Sequence, residues 1–477
     1  MPKKFYLTSA LSYVNALPHI GHAMQFVRAD VLARYRRLKG DDVFFLTGTD
    51  EYGSKIYRTA KAESISPKEL ANKNAAKFKL LDKLLNISYD GFIRTTDKKH
   101  ASNAKKIWAL LEKNGDIYKK KYQGLYCVGC EAFKTEKDLI DGKCPDHQIK
   151  PEIIEEENYF FRLSKYAKKI ELKIRNNELR IIPESRKNEI LSFIKEGVED
   201  VSFSRPKKVL PWGIPVSSDK KQIIYVWADA LTGYLFPSQY WPADLHIIGK
   251  DNLKFLALYW PAMLISAGLA LPKKIYVHGF ITSGGLKMSK TIGNVVDPFE
   301  MLEKYGADAL RYYLLREIPA YEDGDFTESR FKERYNGELA NGLGNFTARV
   351  LTLASQARIN AELMQINAEI KKKIILTKKQ VDQKIEEFKF NEALAAIWEL
   401  ISFGDNYINQ TAPWKIKDEK DKKEKSKVIF NLVMLLKEIA GLLQLFLPQT
   451  SEKILKNIKI SKKIIKIKKG DILFPRI

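Results

Sequence analysis

Cysteine is nearly absent, with three in 477 residues. That excludes a disulfide framework and fits a reducing compartment. Long apolar runs are missing too: no stretch approaches the roughly 20 residues that a bilayer span needs. The start, MPKKFYLTSA, has no signal-peptide core. Acid is in short supply, 58 Asp+Glu against 81 Lys+Arg, which leaves a net charge of +23. Internal repeats are lacking, and so are low-complexity tracts beyond a bias to lysine. What is there in quantity is hydrophobic (45%) and aromatic (11%) residues, enough to fill real cores and to exclude wholesale disorder. The class left is a soluble, cytoplasmic protein, and at roughly 150 residues per domain its length predicts two to four domains. The charge predicts a polyanionic partner, nucleic acid or phosphate. A general lysine bias is the alternative that charge alone leaves open.

The first segment alternates strand and helix. Lys4–Thr8 reads as a strand. Pro18 opens a helical pattern with Val27, Val31, Tyr35 and Leu38 on one face, and Gly40 ends it. Val43–Thr47 is a continuous apolar run, as expected for a strand buried on both faces. This order predicts a parallel α/β sheet. The pattern breaks near Gly115. From Tyr118 to about Gln222 the text is turn-rich and holds all three cysteines. Strands are then expected at Ile223–Trp227, Asp244–Ile248 and Ile275–Phe280, with a helix at Phe255–Ala267. Unstructured loops rarely exceed about 15 residues, so the interruption is read as an inserted domain. From about Asn336 the period is helical, over Leu339–Leu353, Lys378–Gly404 and Val428–Leu447. Lys415–Lys427 is a charged connector. The lysine-rich tail Ser451–Gly470 reads as a solvated or anion-facing surface.

Three constellations carry chemistry. Pro18-His19-Ile20-Gly21-His22 follows the first strand and opens the first helix. A helix N-terminus offers free amides and partial positive charge to an anion. His19 and His22 share one face and can donate to phosphoryl oxygens. Gly21 leaves room for close approach. Far downstream, Gly284-Gly285-Leu286-Lys287-Met288-Ser289-Lys290-Thr291 follows the expected strand Ile275–Phe280. A Gly-Gly hinge before flexible lysine charges can close over a polyphosphate. Third, Cys127-x-x-Cys130 and Cys144-x-x-His147 form a tetrahedral zinc pattern that uses every cysteine. Four closed ligands predict one structural Zn²⁺. Unligated thiols, an exposed basic turn and incidental histidines are the bland alternatives for each motif alone.

The pair HIGH and KMSKT, in this order and context, resembles the signatures of class I aminoacyl-tRNA synthetases. With FYLTSALSYVNALPHIGH, LTGTDEYG, GLYCVGCE, RPKKVLPWGIPV, YVWADALTGY, IIGKD, KMSKTIGNVVDP, ADALRYYLLRE and LGNFTARV, nearly the whole chain is similar to the methionyl-tRNA synthetases. There is no room for the large editing insertion of the valine, isoleucine and leucine enzymes. The resemblance implies a split doubly wound, Rossmann-like parallel sheet with a zinc-bearing insertion and a C-terminal α-helical bundle. The expected parts are a first catalytic half (1–115), the inserted connective domain (116–222), a second catalytic half (223–291), a connecting stem (292–344) and a helical anticodon-binding domain (345–477). It implies activation of L-methionine with ATP and Mg²⁺ to methionyl-adenylate, release of pyrophosphate and transfer to the 3′ end of tRNA(Met), for initiation and elongation.

Residue by residue, the resemblance implies that His19, His22, Lys287 and Lys290 act on the phosphates and that Gly249 and Asp251 hold the ribose. Methionine would be held by Ala10, Leu11, Tyr13, Trp227, Ala230, Leu231 and Tyr234, with Asp50 on its ammonium. Trp227 and Tyr234, taken alone, also fit ordinary packing of a strand–helix pair. One departure stands out. Where the family has an apolar residue after GKD and a histidine four residues on, this chain has Asn252 and Leu256, which implies a reshaped pocket, looser toward longer apolar side chains. Asn345, Arg349 and Trp414 match the residues that read a CAU anticodon. Trp414 also fits a helix-end packing anchor. Without the further C-terminal module of some relatives, a monomer is expected. Two rivals remain at this point, a non-catalytic tRNA-binding paralogue and a nucleotidyltransferase that needs no tRNA. Intact HIGH and KMSK argue against the first, and the helical domain against the second.

Overall fold

This computed structural model describes residues 2–477 apart from 135, 146–147, 289–292, 358, 361–363, 417–421 and 461–463, and gives the backbone alone of 132, 137, 287, 360 and 464. The chain forms two compact units, one of residues 1–29, 36–83 and 88–278, the other of 30–35, 84–87 and 279–477. Among the described residues no helix is long and apolar enough to cross a membrane.

The first unit is built on a parallel sheet. Its strands hydrogen-bond in the order Ser12–Tyr13, Asp42–Asp50, Lys4–Ser9, Leu245–Gly249, Lys274–His278, Arg180–Ile182, and Gly91–Arg94 also pairs with Asp42–Asp50. Leu7 faces Phe45 on one side and Leu245 on the other. Leu7, Phe45, Leu46, Ile247 and Val277 are all fully buried, because helices cover both faces and only apolar runs fit there. The first helix, Ile20–Leu38, buries Val27, Val31 and Tyr35; Leu38 at its last turn is exposed, and Gly40 turns the chain with a φ of 86°. From Lys4–Ser9 the chain goes to one neighbour and much later to the other. The strand order therefore reverses there, which opens a crevice beyond the strand ends.

Several expectations are corrected. Ile223–Trp227 is not a strand of this sheet. Gln222–Ile224 pairs antiparallel with Ser204–Pro206, and Trp227 lies on the short helix Val226–Ala230. A short apolar run fits either setting, and here the Ile214 carbonyl takes the Ile224 N–H at 2.7 Å. The helix expected at Phe255–Ala267 is present, opening with a π-helical turn, Phe255–Tyr259, that leads into the helix Trp260–Ser266. Within 116–222, the long ribbon Ile117–Cys127 with Glu152–Phe161 stands outside the sheet. Arg180–Ile182, however, returns to it beside Lys274–His278.

In the second unit, Gly284 and Gly285 form the two-residue turn of a hairpin between Ile281–Ser283 and Leu286–Lys287. Their φ values of 63° and 76° are what a type I′ turn requires. The bundle follows, with helices at Asn345–Ser355, Ala368–Glu386, Phe390–Thr411 and Lys422–Leu443. The periodic stretch Lys378–Gly404 is thus two helices, broken where Phe388 takes a φ of 59°. A buried Arg311 ties this unit together. It pairs with Asp30 at 2.7 Å and donates to the carbonyls of Phe446 and Leu85. The tail residues Ile458–Ile460 and Ile464–Ile467 pair as strands.

Candidate active site

At the reversal of strand order, nine residues line a small cavity: Ala10, Leu11, Asp50, Trp227, Ala230, Leu231, Tyr234, Asn252 and Leu256. Strand ends supply Ala10, Leu11 and Asp50. The helix Val226–Ala230 and the 3₁₀ turn after it supply four more. Asn252 and the fully buried Leu256 come from the turns that follow Leu245–Gly249. A π-helical turn at such a place is a common device of functional sites. Trp227 stacks on Phe255 with ring centroids 3.7 Å apart. The Tyr234 hydroxyl accepts from the Leu11 N–H at 3.2 Å. Tyr13 is not among the lining residues; its hydroxyl instead donates to Glu131 at 2.7 Å.

Two adjacent acids behave differently here. Glu51 accepts from the Arg94 guanidinium at 2.6 and 2.9 Å, from the Thr49 hydroxyl at 2.7 Å and from the Thr96 hydroxyl. Asp50 is 5% exposed, and its Oδ1 has no hydrogen-bond partner. Burial, then the charges of Asp229 and Glu131, pushes its carboxyl well above the ordinary range. A buried carboxyl in that state wants a cation.

His19 and His22 sit at the entry to the first helix with ring centroids 4.0 Å apart. The His19 N–H donates to His22 Nδ1, and the Gly21 N–H to His19 Nδ1. Both δ nitrogens are acceptors, so each neutral ring carries its proton on Nε2. Burial lowers His19 to about 4, and burial with the His19 neighbour holds His22 well below its usual value. A Cβ on Gly21 would lie 3.0 Å from His19 Cε1, so glycine lets that ring fold back over the turn. Gly249 ends its strand, and a Cβ there would lie 2.7 Å from an oxygen of Asp251.

In the second unit, Lys287 lies on the second strand of the hairpin, and Lys290 lies outside the described residues. Asn345 and Arg349 share one face of their helix. Arg349 donates to Asp405 at 3.0 Å and to Asn409 at 2.7 Å, and its guanidinium lies 5.9 Å from the Trp414 ring. Of seven tryptophans, Trp414 is the exposed one, at 47%.

The three cysteines converge. Their sulfurs lie within 4.8 Å of one another, with Cys130 and Cys144 at 3.5 Å. A tetrahedral zinc with bonds of about 2.3 Å sets sulfurs roughly 3.8 Å apart, so this donor set fits such an ion. Burial raises the Cys127 and Cys130 thiols, which a bound cation would reverse. His147 lies outside the described residues.

Sequence reasoning missed four participants. Glu131, next to Cys130, accepts from Tyr13, from the Ser54 hydroxyl at 2.9 Å and from the Lys55 N–H. His100 and Asp229 pair beside the cavity. Asp405 orients Arg349. Only Glu131 had a visible signal, its place beside a zinc ligand.

Comparison with known proteins agrees with this geometry. A family model described as class I tRNA synthetases (M) matches residues 5–151 and 138–351, and one for the anticodon-binding domain of tRNA ligases matches 367–472. The methionine–tRNA ligase of Caldanaerobacter subterraneus subsp. tengcongensis is 42% identical over 515 residues, spanning 100% of this chain and 79% of that protein. That of Bacillus subtilis is 40% identical over 99% of this chain and 78% of its own length. A Mycobacterium tuberculosis methionyl-tRNA synthetase solved with methionyl-adenylate superposes with a TM-score of 0.94 at 36% identity, over 99% of this chain and 100% of that one.

Proposed function

The chain belongs to the methionyl-tRNA synthetases of class I, and from that premise we propose how its residues join methionine to tRNA. The reaction is ATP-dependent. A carboxylate oxygen of methionine attacks the α-phosphorus and pyrophosphate leaves. The terminal ribose hydroxyl of tRNA then attacks the adenylate carbonyl and AMP leaves. Catalysis of this kind is mostly positioning and charge stabilisation.

In this reading the substrate ammonium meets Asp50, and the thioether lies among Trp227, Tyr234 and Leu256, where sulfur gains from ring contacts. His19 and His22 turn their Nε2–H groups to phosphate oxygens. Lys287 and Lys290 neutralise the β and γ phosphates, Gly249 and Asp251 hold the ribose, and Mg²⁺ arrives with ATP. Cys127, Cys130, Cys144 and His147 would hold one Zn²⁺, which would serve to stabilise their loop and not to take part in the chemistry. Glu131, one residue on, carries that order to Tyr13. Asn345, Arg349 and Trp414 read unstacked anticodon bases through their edges and faces. The surplus lysines supply the phosphate footprint. Cytoplasmic translation is the setting.

The observation that carries the site assignment is the buried, unpaired Asp50 oxygen in a largely apolar and aromatic cavity at the sheet's reversal. ATP–pyrophosphate exchange with each of the twenty amino acids tests it. Exchange with methionine alone is expected. Exchange with none would favour the non-catalytic paralogue, and exchange with another apolar amino acid would mean that Asn252 and Leu256 have changed the substrate.

A further inference from the structure

Three buried acids of this unit hold cations: Glu51 holds Arg94, Asp116 holds Lys165 at 2.6 Å, and Asp244 holds Lys273 at 2.6 Å. Two beside the cavity have no such cation and keep one oxygen without a hydrogen-bond partner. One is Asp50. The other is Asp229, fully buried on the helix that carries Trp227 and Ala230. Its Oδ1 lies 2.8 Å from His100 Nε2, and its Oδ2 has no hydrogen-bond partner. His100 is no substitute for a lysine: burial lowers it to about 4, so at neutral pH the ring is uncharged. The Asp229 charge is nonetheless felt at Asp50, where it is the largest contribution after burial.

The location of the pair is specific. His100 belongs to the helix Lys98–Lys113, which contributes no residue to the cavity wall. Its ring lies against Gly233, where a Cβ would sit 3.4 Å from His100 Nδ1 and 3.3 Å from the cavity residue Leu11. The His100–Asp229 bond therefore pins the wall that bears Trp227, Ala230 and Leu231 to a helix behind it. Two buried carboxyl groups, each with an open oxygen and no cation, leave a deficit of positive charge next to the cavity. The missing charge is the one an α-amino acid brings.

We propose that Asp229, held by His100, is a positioning residue for the amino-acid substrate: a second buried carboxylate that, behind Asp50, draws and orients the substrate ammonium. This rests on the reading that the cavity takes an amino acid with its ammonium at Asp50. Asp229 acts through the field and through the wall it anchors, and Asp50 makes the contact.

Two ligands separate these parts. Methioninol keeps the ammonium and lacks the carboxylate, and des-amino methionine does the reverse. Their binding to the full chain is measured calorimetrically, alongside KM for methionine and for ATP in pyrophosphate exchange. Asp229→Asn and His100→Ala are expected to weaken methioninol roughly ten- to a hundredfold and to raise KM for methionine equally. The KM for ATP and the binding of des-amino methionine stay unchanged. His100→Gln, which can place an amide N–H where Nε2 was, recovers most of the loss. If Asp50→Asn loses methioninol while Asp229→Asn binds it like the parent, the proposal is overturned and the Asp50 reading stands. If Asp50→Asn also binds it like the parent, that reading falls and the proposal with it. Equal weakening of both ligands with a lowered Tm would reduce the pair to a fold contact and overturn the proposal too.

Discussion

In the cavity at the sheet's reversal, Asp50 is buried and keeps one oxygen without a partner. On the helical bundle, Arg349 is partly exposed and already has two partners, with an exposed tryptophan beside it. Both depart from the ordinary economy of a folded chain, in opposite directions. Buried polar atoms are normally paired, and large aromatics are normally covered. The cavity leaves a charge open in the dark, where an incoming cation finds low dielectric and no competing water. The bundle face leaves a ring open in the light, where a flat base can stack on it, and fixes its cation in advance so that direction is set before binding. A small rigid substrate suits the first arrangement, and a large flexible polyanion the second.

The sharpest way to break this contrast is to cross the two sites. Asp50→Asn leaves an ammonium unpaired in a buried place, which costs about 2–5 kcal/mol. Amino-acid-dependent pyrophosphate exchange and tRNA charging should both collapse, while KM for ATP holds. Trp414→Ala should cost tRNA charging about 1–3 kcal/mol, the worth of one stacked base. It should leave pyrophosphate exchange untouched. If Trp414→Ala slows exchange as much as charging, the two regions are not separate in function, and the tryptophan is a packing anchor.

What the residues alone made readable was held close by local geometry: HIGH lies at one strand–helix turn and the cysteines at one ribbon end. The pocket residues, spread from Ala10 to Leu256, were legible only through the family resemblance, and nine of those ten line the cavity. Residues that meet only through the fold carry no such local signal. His100 and Asp229 are 129 positions apart, and neither belongs to a periodic pattern that asks for the other. Arg180–Ile182 is three residues long, too short for any period to reveal a strand. Trp227 was expected on a strand because the run Ile223–Val226 is apolar throughout, and an apolar run alone does not say which partner it will find.

Within the cavity, Leu256 offers a finer test. It is fully buried and lines the wall where the family pattern has a histidine, so no polar group there demands the sulfur. Discrimination of methionine from norleucine should be weak, near 1 kcal/mol, about the value of a small change in an apolar pocket. Leu256→His should widen the gap in kcat/KM between the two amino acids. A native preference of several hundredfold would mean that Asn252 or Tyr234 already does that work and that the pocket is not loosened.

His246 sets the limit of the contrast, because its Nε2 is buried and unpartnered without facing the cavity. Its Nδ1 lies 2.6 Å from the Thr8 hydroxyl, across the two strands at the reversal, and its ring backs Tyr234 with centroids 4.9 Å apart. Burial lowers it to about 3. The unfolded chain, with an ordinary histidine near 6.5, binds the proton first as pH falls, so this group's share of stability is present above about 6.5 and drains away toward 3. From pH 7 to pH 6 the loss is small, about 0.7 kcal/mol for this group. Denaturant unfolding at the two pH values, in the parent and in His246→Gln, isolates it. The parent should weaken more than the variant over that interval, and KM for methionine should be the same in both. An equal slope would mean that His246 keeps a normal proton in the fold. A changed KM would mean that an unpartnered buried nitrogen here, as at Asp50, marks the substrate site, and the cavity would then extend its influence one layer into the sheet.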